Sequence, residues 1–273
     1  MRRPRWRLPL RFAALVYLGL LILLPVGTVF FRAFQHGLGT AWDALTAPDS
    51  LHALWLTLLV ALVAVPLNTA FGVGVSLILA RHRFPGAWLL DALVDIPLAI
   101  SPVVIGLGLV LVYGKVGWFG NWLAGRGIEV IYSLPGIVMA SAAVSLPYVV
   151  REVLPVLQEI GTEQEQAART LGARPLAVFW RITLPNIRRG LAYGVTLTTA
   201  RVLGEFGAVA IVSGNIANRT QTETLFISDS INNLDPNSGY IGAVALCLAA
   251  LLVLTLLTVT DRRRDEWHRR AVL

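Results

Sequence analysis

The sequence predicts an all-α integral membrane protein, with six transmembrane helices and one long helical loop on the cytoplasmic side. Three observations predict it. Hydrophobic residues are 56% of the 273 and charged residues only 14%, against about a quarter in a soluble domain. The apolar residues fall in uncharged runs of about twenty, enough to cross a bilayer core about 30 Å thick. Basic residues gather in the connections on one side, as they do on the cytoplasmic face of membrane proteins. The net charge of +7 is therefore explained by topology and gives no reason to invoke nucleic acid.

The runs are Phe12 to Phe31, Ala53 to Ala80, Ile96 to Gly114, Val130 to Val150, Gly190 to Ser213 and Pro236 to Thr260. The first follows Arg2, Arg3, Arg5, Arg7 and Arg11. A cleaved signal peptide would have a shorter apolar region and a small-residue cleavage site; Arg32-Ala-Phe-Gln is not one, so the helix is read as retained. The fifth run is interrupted by Arg201 and Glu205. Counting it as a span puts 18 of the 23 basic residues inside, with both termini cytoplasmic; omitting it would place the five-arginine tail outside. The chain reads as a single membrane domain, 1–273, with the cytoplasmic loop at 151–190 inside it. Of the two outer segments, Lys115 to Glu129 carries Trp118, Phe119 and Trp122, which suit the interface belt. The other, Asn215 to Gly239, reads as a polar loop, solvated or touching an external partner. Cys247 stands alone in an apolar run, which excludes an internal disulfide, and the four histidines have no metal-ligand spacing.

The cytoplasmic loop carries the densest local signals. Thr162 and Glu165 make a Thr-x-x-Glu capping box for a short helix. Ala167, Ala168 and Leu171 form its apolar stripe, and Gly172 is placed as the residue after the C-cap, where positive φ is free of steric cost. Pro175 suits the first turn of a second helix bearing Leu176, Phe179 and Trp180, and Pro185 is expected to end it. The spacing of Gln166, Ala167, Ala168, Gly172, Ile182, Leu184 and Pro185 resembles the EAA loop of ABC importer permeases: Glu-Ala-Ala, three residues, Gly, nine residues, Ile-x-Leu-Pro. The departure is Gln166, where that family has Glu, with Glu165 next to it as the substitute carboxylate. The resemblance implies the architecture of a type I ABC importer permease and a loop that docks on a separate ATPase through these residues, Glu165 and Leu171.

In the fifth run, Arg201 lies eleven residues past Gly190, about 16 Å into the membrane. Glu205 follows at i+4 on the same face, so the two charges neutralise each other. Two readings stay open: a face lining the translocation path or its gate, with Thr198 beside it, or a packing lock between helices. Ser101, before Pro102 in a helix expected to bend, offers a hydroxyl or freed backbone amides to an anion, although the proline alone accounts for a bend. Asn68, two residues after Pro66, is expected to bond to freed backbone or to a neighbouring helix. Asp91 and Asp95 are expected to pair with Arg81 or Arg83.

Three further stretches narrow the resemblance: Val94 to Gly106, Leu146 to Glu152, and Ala200 to Ala208 followed by Val212-Ser-Gly-Asn-Ile216. Together they resemble the sulfate/thiosulfate importer permeases, the W-type subunit more than the T-type because of Ser101-Pro102-Val-Val. The Gly-Glu-Phe-Gly segment is shared with molybdate and tungstate permeases, the alternative substrates. The resemblance implies a bacterial inner-membrane subunit with a T-type permease partner, an ATPase dimer and an extracytoplasmic sulfate-binding protein. ATP and magnesium would bind the ATPase, with no cofactor in this chain: Gly114-Lys115 is followed by Val116 and does not make a phosphate loop. A proton-coupled secondary transporter would show paired halves with broken helices, and a membrane enzyme a nucleophile–base pair in the spans. Neither pattern is present in the sequence.

Overall fold

The computed structural model describes residues 7–233 and 235–271, with side chains from 12 to 259 apart from 14 and 234. The N-terminal Arg2, Arg3 and Arg5 lie outside the described residues, as do the side chains of Arg7, Arg11 and the five tail arginines.

Every regular element among the described residues is a helix. Helices α1 (Arg7–Leu18) and α2 (Leu24–Phe34) form one rod joined by a π turn at Gly19–Leu23. Pro25 explains the turn: proline lacks the N–H of an α-helical bond and its ring crowds the carbonyl four residues back, and a wider turn relieves both. α3 (Leu38–Thr46) leads into α4 (Pro48–Arg81), which at 34 residues is about 51 Å long. α5 (Ala87–Ala99) and α6 (Pro102–Tyr113) meet at a 113° bend. After the short α7 (Gly120–Ala124), α8 (Leu134–Ile160) returns alongside α4. Two small helices, α9 (Glu163–Thr170) and α10 (Pro175–Val178), then turn the chain into α11 (Leu184–Leu203). α12 (Gly207–Val212), α13 (Glu223–Asn232) and α14 (Pro236–Ala271) complete the fold.

Among the described residues, four helices are long and apolar enough to cross a membrane: Leu15–Phe34, Pro48–Arg81, Leu134–Ile160 and Pro236–Val259; the bent α5–α6 pair makes a fifth if counted as one span. The fifth run expected from sequence is divided. α11 carries Arg188, Arg189 and Arg201, and the helix breaks at Gly204–Phe206 before α12. The expected third span is likewise two helices rather than one. α8 runs ten residues beyond Val150, so much of the segment read as loop is helix.

A three-helix body of α4, α8 and α11 forms the core. Leu56, Val60, Ala64, Ile137 and Leu203 fill one end and Val73, Val149, Val153, Leu157 and Ile187 the other. Glycines set the approach. A Cβ on Gly72 would lie 2.6 Å from Val149 Cβ, and one on Gly190 2.6 Å from the Glu152 carbonyl oxygen; only a residue without a side chain lets these backbones meet. Asn68 donates to the Ala142 carbonyl at 2.9 Å and to Ser145 Oγ at 2.8 Å, the neighbouring-helix bond expected of it. The segment at Asn215–Gly239 is not a plain solvated loop. It contains α13, packed on α14 and α4, with Glu223 fully buried.

Candidate functional site: a helical elbow and two helix breaks

The elbow between α8 and α11 is built much as the sequence indicates, with one inversion. Gly172 has φ +84°. The Ala173 amide donates to the Ala168 carbonyl and the Gly172 amide to the Arg169 carbonyl, both at 3.0 Å, the paired bonds that close a helix on a left-handed glycine. Pro175 opens α10. Thr162 holds the N-cap position of α9 but makes no side-chain cap bond, so the expected capping box is absent. Glu165 points the other way. It is buried, accepts from Arg81 Nη2 at 3.0 Å and from Thr183 Oγ1 at 2.9 Å, and an ion pair with a distant arginine outweighs a weak local cap. Gln166 is exposed and donates from Nε2 to Thr162 Oγ1 at 3.0 Å. Glu165 therefore does not stand in for the missing family glutamate at the surface.

Pro185 does not end the second helix. A π turn at Phe179–Thr183 precedes it, with the Leu184 amide bonded to the Phe179 carbonyl, and the chain continues into α11. Ile182, Leu184 and Pro185 thus form a continuous joint between elbow and α11, where a stop was expected. Ala167 and Gly172 are exposed and Ala168 half-buried. Leu171 is 89% exposed, Leu176 69% and Trp180 59%, so the elbow presents an apolar face built on a buried ionic anchor.

A second charge cluster ties α5 to α8. Arg151 donates from Nε to Asp95 Oδ1 at 2.7 Å and pairs through Nη2 with Asp91 Oδ1 at 3.0 Å and with Asp95 Oδ2. Arg151 takes the place of the expected partner, Arg81 or Arg83, and Arg81 is engaged by Glu165. Sequence reading missed Arg81, Thr183 and Arg151 as members of these clusters.

The two helix breaks lie against each other. α6 packs on α12; a Cβ on Gly207 would sit 3.2 Å from Pro102 Cβ, and one on Gly106 2.7 Å from the Ala208 carbonyl. Ser101 stands exposed at the first break, with no side-chain cap bond. At the second, Arg201 Nη1 lies 2.6 Å from Glu205 Oε2. The predicted pair is formed, but Glu205 sits beyond the end of α11, not within a continuous helix. Its other oxygen accepts from the Ala208 amide at 2.9 Å, and its carbonyl from Thr224 Oγ1 at 2.8 Å. Glu205 is thus buried and held on three sides, while the Arg201 side chain is 29% exposed. Thr198, one turn before Arg201, is fully buried, and its hydroxyl has no hydrogen-bond partner among the described residues.

Residues 72–265 match the family of binding-protein-dependent transport system inner membrane components. The chain belongs to that family. It is 48% identical over 259 residues to the sulfate transport system permease protein CysW of Synechocystis sp., covering 95% of this chain and 93% of that one. It is 40% identical over 258 residues to the sulfate transport system permease protein CysT of Escherichia coli, covering 93% of each. Among solved structures it resembles a chain of a bacterial ABC transporter involved in the import of the acidic polysaccharide alginate, with TM-score 0.78 and 15% identity over 94% of this chain and 96% of that one. At that identity the likeness concerns the fold, which is that of an ABC importer permease. This chain is accordingly a multi-pass membrane transport component.

Proposed function

We propose that this chain is a W-type permease subunit of an ATP-driven importer of sulfate and thiosulfate. The observation that carries the reading is its 48% identity to a sulfate permease across 95% of its length. Similarity to both CysW and CysT proteins supports a heterodimer with a T-type subunit. An ATPase pair binds ATP and Mg2+ on the cytoplasmic side, and an extracytoplasmic binding protein delivers the anion. Both termini and the elbow face the cytoplasm.

The exposed Leu171, Leu176 and Trp180 and the small Ala167, Ala168 and Gly172 are the surface that meets the ATPase. Because the elbow continues without a break through Ile182, Leu184 and Pro185 into α11, closure of the ATPase on ATP reaches the membrane helices as a rigid-body shift. Arg201 supplies one positive charge toward the path, already balanced by Glu205. It therefore holds a dianion weakly, which suits a conduit loaded from outside. Ser101, exposed at the adjoining break, adds a hydroxyl on the same path, with Thr198 buried behind.

The test is uptake of labelled sulfate, thiosulfate and molybdate into vesicles holding the assembled complex. Sulfate or thiosulfate uptake that needs ATP and the binding protein is expected. Preference for molybdate would transfer the chain to the molybdate permeases, and uptake driven by a proton gradient without ATPase would refute the reading.

A further inference from the structure

We infer that Arg81 and Glu165 form a clasp that positions the elbow, so that it moves as one body with α4, α8 and α11. This deepens the coupling role proposed above and rests on it. Arg81 is the last residue of α4. Its Nη1 donates to the Leu157 carbonyl in α8 and its Nη2 to Glu165 Oε1 in α9, each at 3.0 Å. The same Glu165 oxygen accepts from Thr183 Oγ1 at 2.9 Å, in the π turn that enters α11. Three side chains, Arg81, Glu165 and Thr183, thereby join all three core helices to the elbow.

The clasp is shielded from water: the Arg81 and Glu165 side chains are 12% and 11% exposed, and Thr183 is 5% exposed. Shielding keeps an ion pair short and directional where a surface pair would be screened and mobile. The guanidinium's fixed fork is what allows one arginine to hold a backbone carbonyl and a carboxylate at once. On the exposed side a further polar link joins elbow and body, with Asn186 Nδ2 donating to Gln164 Oε1 at 2.8 Å. The outer face of the elbow, from Leu171 to Trp180, takes no part in the clasp. A positioning role and a docking role are therefore carried by different residues and can be separated.

The experiment compares Glu165→Ala, Glu165→Gln and Thr183→Val in the complete complex of both permeases, ATPase and binding protein, reading sulfate uptake and ATP hydrolysis in the same vesicles. With the clasp cut and the docking face intact, the ATPase still assembles and still hydrolyses ATP. Sulfate moved per ATP falls on the order of tenfold for Glu165→Ala, the scale on which changes within a coupling network act. Thr183→Val, which removes one bond from the shared oxygen, lowers the ratio less. Glu165→Gln keeps an acceptor for both donors and recovers part of it. Should Glu165→Ala fail to assemble, the other two variants decide. An uptake-to-hydrolysis ratio equal to wild type in every variant that assembles overturns the clasp. The wild-type complex separates the two levels: ATP-independent uptake by it refutes the coupling reading itself, whereas coupled wild type with unchanged variants refutes only the clasp.

Discussion

Replacing Gly190 by alanine should destabilise the three-helix body, while the same change at Gly74 should not. A Cβ at Gly190 would lie 2.6 Å from the Glu152 carbonyl oxygen and 2.9 Å from Val156 Cγ2. Ordinary contact begins at 3.4 Å, so the carbonyl is too close by roughly 0.8 Å. The carbonyl belongs to the backbone of α8 and cannot rotate away, so α11 must shift outward. Overpacking of this kind costs about 1–3 kcal/mol, set against about 1 kcal/mol gained from alanine's helix propensity. Gly74 lies on the same long helix as Gly72 and a Cβ there meets nothing within 4 Å, so Gly74→Ala keeps the propensity gain alone. The two variants should differ by about 1–3 kcal/mol, or roughly 3–10 °C in midpoint for a chain of this size. Thermal unfolding of the purified chain in detergent, followed by tryptophan fluorescence, measures this. Equal midpoints for the two variants would refute the argument that glycine sets the α8–α11 distance, and with it the rigid body on which the elbow stands.

Three other outcomes are expected. Leu171→Asp, at a position 89% exposed, should leave the unfolding midpoint unchanged yet weaken ATPase association at least about tenfold, since burying a leucine is worth about 2 kcal/mol; pull-down of the ATPase with the permease pair reads it. Arg201→Ala should lower sulfate uptake more than membrane abundance if the arginine lines the path; proportional loss of both would identify the pair as a packing lock. Glu223 is fully buried, neither carboxylate oxygen has a hydrogen-bond partner among the described residues, and burial pushes its pKa up to about 8. The folded chain then keeps a proton that the unfolded chain has released, so stability is highest below the unfolded value and falls as pH rises toward 8. Glu223→Gln should flatten that slope and raise stability at pH 7 by about 3 kcal/mol, read from midpoints between pH 5 and 8; an unchanged slope would contradict it.

What the sequence revealed was local. The glycine closure at Gly172 and the proline opening at Pro175 need only neighbouring residues, and both appear where the spacing puts them. The Arg201–Glu205 pair was legible because i+4 contacts are local too. Glu165 was misread because its true partner is 84 positions away; from nearby residues alone a capping box was the best use of its carboxylate. Asp95 likewise reaches across 56 positions to Arg151. Charge misled at helix ends, where Arg151, Glu152 and Glu159 made the last ten residues of α8 read as loop. Pro185 misled because a proline signals a stop, whereas a π turn can absorb it. The division of the third run is foreshadowed by the bend expected at Ser101-Pro102, whereas the break after Leu203 is not, and how the two breaks pack together depends on contacts no periodicity carries.

Cross-linking tests the central claim most directly. With Cys247 changed to Ser and Leu171 changed to Cys, the assembled complex should yield a permease–ATPase adduct whose amount shifts with ATP, and an impermeant thiol reagent should label the site only from the cytoplasmic face. Labelling from the opposite face, with no ATPase adduct under any nucleotide condition, would contradict the account.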